Sequence, residues 1–194
     1  MNYLAHSFLS NNEEGLLIGN FIADHIKIKV ADHLPIEIRK GIILHRRIDN
    51  FTDSHTLFIN SKRFFYDGFE RYSGVLLDIY FDHVLAQNFG KYSKIPLQEY
   101  TNNLYELLLK NKEYLPVSSQ GFLDYAIQRN TFFEYSKIEG IELVLKHLSY
   151  RINHGIDLSK SVPLFTANKS QIEKDFFGFM EDMQTFVTNE IPKI

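Results

Sequence analysis

The sequence contains no cysteine, which excludes disulfides, thiolate zinc sites and cysteine nucleophiles. It also lacks a long apolar run, because the longest, residues 15–23, is interrupted by Asn20 and is too short to span a bilayer. The first ten residues have neither the cationic start nor the apolar core of a secretory signal. These absences predict a soluble, cytoplasmic protein that does not bind membranes.

Two further absences narrow the function. The formal net charge is −3, and general nucleic-acid binding needs a strong basic surface, so we expect no nucleic-acid partner. No two of the ten glycines are spaced as G-x-G, and no G-x-S-x-G motif occurs, which excludes the common dinucleotide, P-loop and serine-hydrolase signatures. Cations are locally in excess: residues 26–47 hold six Lys or Arg and two acids. This segment is either a solvated face or a surface for a phosphate or an acidic partner.

What the sequence does contain is helical apolar spacing over nearly its whole length, without alternating strand patterns. It predicts an all-α single domain, residues 1–194, of about seven to nine helices. In the first half, a polar break at residues 11–14 precedes a predicted helix over 15–27, and a second helix is predicted to start at Asp32–Pro35 and run to about Asp49. Thr52 is predicted to cap the next helix, which ends at a break at Asp67-Gly68. Further helices are predicted over 69–89, from Pro96, over 120–129, over 138–152 and around 172–187. Residues 155–169 are predicted to be the loosest segment.

Three predicted helices carry Asp or His within their apolar stripes. The first stripe is Leu17, Phe21 and Asp24, and the second is Ile38, Gly41/Ile42, His45 and Ile48/Asp49. The third is Val75, Asp78, Asp82, Leu85 and Phe89, and His83 lies beside this third stripe. Positions three and four apart share one helix face, so these polar groups should point inward. A buried carboxylate is costly unless it is paired or binds a cation. Carboxylates converging from several helices therefore indicate a metal ion.

The polar residues are concentrated in the first half of the chain. Six of the eight His and seven of the eleven Asp lie in residues 1–83, which predicts a site in about residues 1–90 and a helical scaffold in 91–194. A mixed imidazole and carboxylate set suits Mn²⁺, Fe²⁺ or Mg²⁺, and zinc is an alternative. Several polar residues are expected in caps, turns or structural positions instead, namely His25, Asp32, His33, Asp53, Asp67, His147 and His154.

Four segments resemble the motifs of bacterial acyl carrier protein phosphodiesterase. They are MNYLAH (residues 1–6), GNFIAD (19–24), GIILHRRIDNFTDSH (41–55) and LDIYFDHVL (77–85). The resemblance covers about the first 90 residues, and beyond them only length and helical character agree. It implies an all-α, HD-like fold, a divalent metal that is typically Mn²⁺, and removal of the 4′-phosphopantetheine arm from holo-acyl carrier protein. The basic segment 26–47 would then dock the acidic carrier.

The predicted site combines metal ligands with groups that move protons and balance charge. Candidate ligands are His6, Asp24, His45, Asp49, Asp78, Asp82 and His83. An ion held by some of these would acidify a bound water, and the resulting hydroxide would attack phosphorus in line. Candidate catalytic residues are Asp24, the arginines Arg46, Arg47 and Arg71, which would neutralise phosphoryl charge, and His83 or His55, which would protonate the departing serine oxygen.

Two alternatives remain open on the sequence. The same site could hydrolyse a nucleotide or another small phosphate ester, because function is set by the site and not by the fold. The chain could also be a non-enzymatic helical interaction module, whose buried His–Asp and Arg–Asp groups pair with one another and hold no metal.

Overall fold

The computed structural model describes residues 2–26, 33–152 and 155–194. Across these ranges the chain forms helices and no strand, which confirms the predicted all-α class. The helices are α1 (Tyr3–Phe8), α2 (Glu14–Ile22), α3 (Ile36–Ser54), α4 (Thr56–Lys62), α5 (Tyr66–Phe69), α6 (Ser73–Gln87), α7 (Leu97–Lys110), α8 (Val117–Arg129), α9 (Thr131–Glu134), α10 (Ile138–Ile152) and α11 (Val162–Glu190). Among the described helices, none combines the length and hydrophobicity needed to cross a bilayer.

Helix α6 lies at the centre of the fold and is buried around nearly its whole circumference. It packs against α1, α4, α10 and α11, so the carboxy-terminal helices cover the motif-bearing half. A helix surrounded on all sides has no single inward stripe. The stripe predicted for this segment is accordingly wrong at Val75, whose side chain is 45% exposed, whereas Asp82 is fully buried.

The boundary between α3 and α4 differs from the prediction. Helix α3 continues past Asp49 to Ser54, and Thr52 lies inside it, where its hydroxyl donates to the Ile48 carbonyl at 2.8 Å. The cap of α4 is His55, whose Nδ1 accepts from the Leu57 amide at 3.3 Å. The Thr52 prediction failed because a threonine hydroxyl bonds a carbonyl one turn back as readily as it caps a helix.

Other boundaries were predicted with mixed success. Gly68 has φ +78°, so the break at Asp67-Gly68 is confirmed. Pro96 immediately precedes α7, as predicted. The predicted loose segment 155–169 is wrong in part, since it contains a 3₁₀ turn at Leu158–Ser161 and the first turns of α11, whose early proline is tolerated there. The predicted start at Asp32 and the end at Lys27 lie outside the described residues.

Candidate active site

Two glycines allow α2 and α3 to cross in close contact. A Cβ built on Gly19 would lie 2.7 Å from the Cα of Gly41, and one built on Gly41 would lie 2.4 Å from the Leu16 carbonyl oxygen. Any larger residue would force the helices apart. The close crossing places Asn20, one residue after Gly19, directly against His45, one turn after Gly41.

A compact cluster of imidazoles and carboxylates forms where α1 meets this crossing. The His6 and His45 rings stack with centroids 3.9 Å apart and planes 16° apart. The Nε2 atoms of both rings face Asp49, at 3.1 Å from its Oδ1 and Oδ2 respectively, and the His45 Nε2 is also 3.3 Å from Asp24 Oδ1. Within the described residues, His6, His45 and Asp49 each offer a ligand atom within 4.8 Å of the others. The structure thus brings together four of the predicted ligands.

Asn20 orients both imidazole rings. Its side-chain Oδ1 lies 3.0 Å from His6 Nδ1, and its backbone carbonyl lies 3.0 Å from His45 Nδ1. The Asn20 Nδ2 donates to the His6 carbonyl and to Ser10 Oγ, which fixes the amide so that the oxygen faces His6. Both Nδ1 atoms are therefore the protonated nitrogens. In neutral rings this leaves the two Nε2 lone pairs directed at the carboxylates, the arrangement that metal-binding histidines adopt.

The charges of the cluster favour a cation between its members. Burial and the neighbouring His45 lower the pKa of His6 to about 4, so its ring is neutral near pH 7. The lone pair of His6 Nε2 then faces the carboxylate oxygen of Asp49, and two acceptors in contact need a proton or a cation between them. Burial opposes charge on His45, but its hydrogen bonds with Asp24 and Asp49 outweigh burial and raise the pKa of His45 to about 9. Burial likewise opposes charge on Asp49, and its hydrogen bonds with His45 and His6 lower its pKa. Near pH 7 a proton on His45 Nε2 therefore occupies the position that a metal ion would take. This donor set fits a divalent metal ion.

Asp24 reaches the cluster from the solvent side. It belongs to the 3₁₀ turn Ala23–His25 that follows α2, and its side chain is 66% exposed, so the predicted inward position is wrong in burial although its carboxylate faces His45. The hydrogen bond with His45 lowers the pKa of Asp24. A half-open cluster with one exposed carboxylate leaves room for a substrate.

Asp82 lies beneath α1 and not among the histidines. Its Oδ2 accepts from the Leu4 amide at 2.8 Å and its Oδ1 from the Ala5 amide at 3.1 Å. Both amides belong to the first turn of α1, where helix N–H groups lack partners of their own. Asp82 therefore anchors the helix that carries His6, and we do not retain it as a ligand.

Of the two remaining predicted ligands, His83 lies in the core and Asp78 lies nearer the cluster. The Nδ1 of His83 donates to the Tyr135 carbonyl at 2.6 Å, and its ring meets the edge of Phe165, so this side chain serves the core and not the cluster. Asp78 is partly exposed. Burial raises the pKa of its carboxyl, and the charges of Asp49 and Asp53 contribute in the same direction. Asp78 thus lies within the electrostatic range of the cluster.

Most of the predicted charge-neutralising and proton-donating residues have contacts elsewhere. Arg47 forms an ion pair with Glu190, and Arg46 is exposed. Arg71 lies 5.8 Å from the centroid of the neighbouring Tyr72 ring. His55 pairs with Asp182, at 3.2 Å between Nε2 and Oδ2. Capping and ion pairing account for His55 without a catalytic function.

A cleft of about 720 Å³ extends from the cluster and is bordered by α1, α6, α8 and α10. Asp24 and Asp78 line it, together with His25 and Arg151, two residues that the sequence analysis did not select for the site. The Nε2 of His25 is 3.2 Å from the Tyr3 hydroxyl. No sequence signal marked Arg151, which lies on α10, whereas Asn20 was noticeable as the polar interruption of an apolar run.

Comparisons with known proteins agree with the sequence motifs. A family model described as acyl carrier protein phosphodiesterase matches residues 1–183. Curated relatives carry the same name: one from Pectobacterium atrosepticum is 30% identical over 184 residues, covering 94% of this chain and 95% of that protein. One from Klebsiella pneumoniae is 27% identical, covering 98% and 99%, and one from Escherichia coli is 30% identical, covering 78% and 79%. No solved structure matches the chain. The name denotes a hydrolase of phosphodiester bonds, and the chain belongs to the acyl carrier protein phosphodiesterase family.

Proposed function

We propose that this chain is a metal-dependent phosphodiesterase that hydrolyses the link between 4′-phosphopantetheine and the serine of holo-acyl carrier protein. The products would be apo-carrier and free 4′-phosphopantetheine. The name of the curated relatives supports the substrate. The observation that carries the metal is the convergence of two imidazole Nε2 atoms on Asp49, with both Nδ1 atoms held by Asn20.

The residues that would hold the ion are His6, His45 and Asp49, with Asp24 completing the set beside His45. Two neutral imidazoles and two carboxylates would balance a doubly charged ion, and Mn²⁺, Mg²⁺ and Fe²⁺ accept such ligands. When bound, a divalent ion supplies Lewis-acid polarisation of a phosphoryl oxygen and a nucleophilic water at neutral pH.

The surrounding residues would perform the remaining steps. Asn20 would keep both rings in the tautomer that presents Nε2. His25 lines the cleft next to Asp24, and we assign its protonated form as the donor to the departing serine oxygen in place of His83 and His55. Burial lowers the pKa of this ring, which makes the protonated form a stronger acid than a free imidazolium. Arg151 would offset the charge growing on the phosphoryl oxygens, in place of Arg47, which is paired with Glu190.

The carrier protein would dock on the solvent face of α3. Ile36, Lys40, Ile43 and Arg47 follow one another at helical spacing along this face, and Ile36 and Ile43 are 54% and 37% exposed. Arg46 beside them is exposed as well. Cations interleaved with exposed apolar residues suit an acidic partner. The predicted contributions of Lys27 and Lys29 lie outside the described residues.

Metal analysis and a substrate comparison test the proposal together. Protein purified without chelator should contain bound Mn²⁺, Fe²⁺ or Mg²⁺, or take it up on titration, and should then release 4′-phosphopantetheine from holo-carrier protein. The same preparation should be assayed with a panel of nucleotides. Faster turnover of a nucleotide would favour the small-ester alternative, and absence of metal binding with unchanged thermal stability in chelator would favour the interaction module.

A further inference from the structure

The cleft beside the histidine cluster has the dimensions of a small-molecule site. Its volume is about 720 Å³. Pockets for drug-sized ligands span about 300–1,000 Å³, and 4′-phosphopantetheine has about twenty non-hydrogen atoms. A cleft of this volume suits an extended chain or a small molecule.

The walls of the cleft are apolar, with hydrogen-bonding groups placed among them. The apolar side chains are Val75, Ile79, Phe122, Val144 and Leu148, and the polar ones include Asn2, Ser118, Thr131 and His147. Val75 is 45% exposed, an unusual position for an apolar residue on a helix that is otherwise mostly buried. A ligand with alternating methylene or methyl groups and amides would satisfy both kinds of wall.

The two ends of the cleft differ. At one end Asp24 belongs both to the cleft and to the histidine cluster, and the Arg151 charge lies close enough to act on Tyr3 and His25. At the other end Tyr125, Thr131 and Val144 also line a second cavity of about 300 Å³, bordered by Arg129 and Glu139. The cleft therefore runs from the candidate metal centre toward this second cavity.

We propose that this cleft binds the pantetheine arm of the substrate, with Arg151 at its phosphate and Val75, Ile79 and Leu148 along its dimethyl and amide portions. The inference rests on the proposed function for the identity of the arm. It assigns the specificity of the enzyme to α6, α8 and α10, which carry no part of the metal cluster.

Measurements of ligand binding and of turnover distinguish the assignment of the cleft from the proposed function. Calorimetric titration of the full chain with 4′-phosphopantetheine and with unphosphorylated pantetheine, both with Mn²⁺ present, measures arm binding directly. Val75→Trp should fill the cleft and weaken both ligands at least about tenfold, whereas Arg151→Gln should weaken only the phosphorylated one by about that factor. Val117→Trp, the same change at an 85% exposed valine outside the cleft, should alter neither.

The binding results decide the assignment of the cleft, and the hydrolysis assay decides the proposed function. Unchanged binding by Val75→Trp, or no binding of 4′-phosphopantetheine by the parent protein at millimolar concentration, would overturn the assignment of the cleft. If Val75→Trp fails to fold, Leu148→Trp on α10 makes the same test. Hydrolysis of holo-carrier protein by the parent is scored separately: its absence alongside normal arm binding would reject the proposed function and leave the cleft assignment standing.

Discussion

Gly19 and Gly41 lie in contact where α2 crosses α3, and a Cβ on either would meet backbone atoms of the other helix at less than 3 Å. This contact sets the distance between Asn20 and Asp24 on one side and His45 and Asp49 on the other. The geometry of the candidate metal centre therefore depends on two residues that have no side chain.

Replacement of Gly41 should destabilise the protein although alanine favours helices. We expect Gly41→Ala to lower the free energy of unfolding by about 1–3 kcal/mol through overpacking, and to weaken metal binding because the helices separate. Gly121→Ala is the control: Gly121 lies inside α8, and a Cβ there would meet no atom of another element within 4 Å, so this change should stabilise by about 0.5–1 kcal/mol. Urea unfolding of both variants gives the comparison, and equal effects would contradict the close-packing argument.

Loss of the Asn20 side chain should impair metal binding more than folding. Asn20→Ala frees His6 Nδ1, and we expect Mn²⁺ affinity to fall by about 10–100-fold, the usual effect of removing a group that orients a ligand. Helical circular dichroism should be retained. Asn103→Ala on the exposed face of α7 serves as the control. Parent-like affinity in Asn20→Ala would show that the side-chain hydrogen bond does not orient the His6 ring.

Asp24 and Asp82 should respond differently to removal, although the sequence analysis assigned both to one ion. Asp24→Ala changes a 66% exposed carboxylate, so the melting temperature should be nearly unchanged while hydrolysis of holo-carrier protein and metal affinity fall. Asp82→Ala removes two bonds to the start of α1 and should lower the melting temperature. Asp124→Ala, at a carboxylate 61% exposed, should change neither quantity. A stable but inactive Asp82→Ala would return Asp82 to the metal site.

Asp82 should also make stability depend on pH. Burial raises its pKa in the folded protein from 3.8 to about 7, despite the two amide hydrogen bonds. The folded state thus binds this proton more tightly than the unfolded state, and the stability that Asp82 contributes is lost as the pH rises from about 4 to about 7. Asp82→Asn cannot ionise. Its unfolding free energy relative to the parent should rise across this window, by up to about 4 kcal/mol at 1.36 kcal/mol per pKa unit. Urea unfolding at pH 4.5 and pH 8 measures the difference, and a constant value would refute the burial effect.

Charge reversal on α3 should weaken docking of the carrier without altering the chemistry. For the double variant Lys40→Glu and Arg46→Glu we expect KM for holo-carrier protein to rise about tenfold, with kcat unchanged and a weaker dependence on salt. Lys94→Glu with Lys110→Glu makes the same change in net charge at exposed positions away from α3. An equal rise in KM for both double variants would indicate a general charge effect and remove α3 as the docking surface.

Local periodicity was sufficient to predict the helical class and the inward side of α3, whereas the family was indicated by the resemblance of four sequence segments to its motifs. His45 and Asp49 are one turn apart on a helix with one buried face, so their convergence followed from spacing alone. His6 became a candidate ligand only through the motif resemblance, because its helix is too short for the apolar spacing to show which face is buried.

Tertiary packing decided the rest. Helix α6 is buried on nearly every side, so its apolar residues do not mark one inward face. The sequence therefore could not show whether Asp82 faces a metal site or the start of α1, to which it is hydrogen-bonded. Likewise, Asn20 meets His45 through the glycine crossing of α2 and α3, and it meets His6 because α1 packs against α2. Arg151 lines the cleft from a helix more than a hundred residues along the chain from His45. Spacing along a helix fixes which residues share a face, but the partner of that face is set by side-chain volumes and helix crossings, which only the folded chain defines.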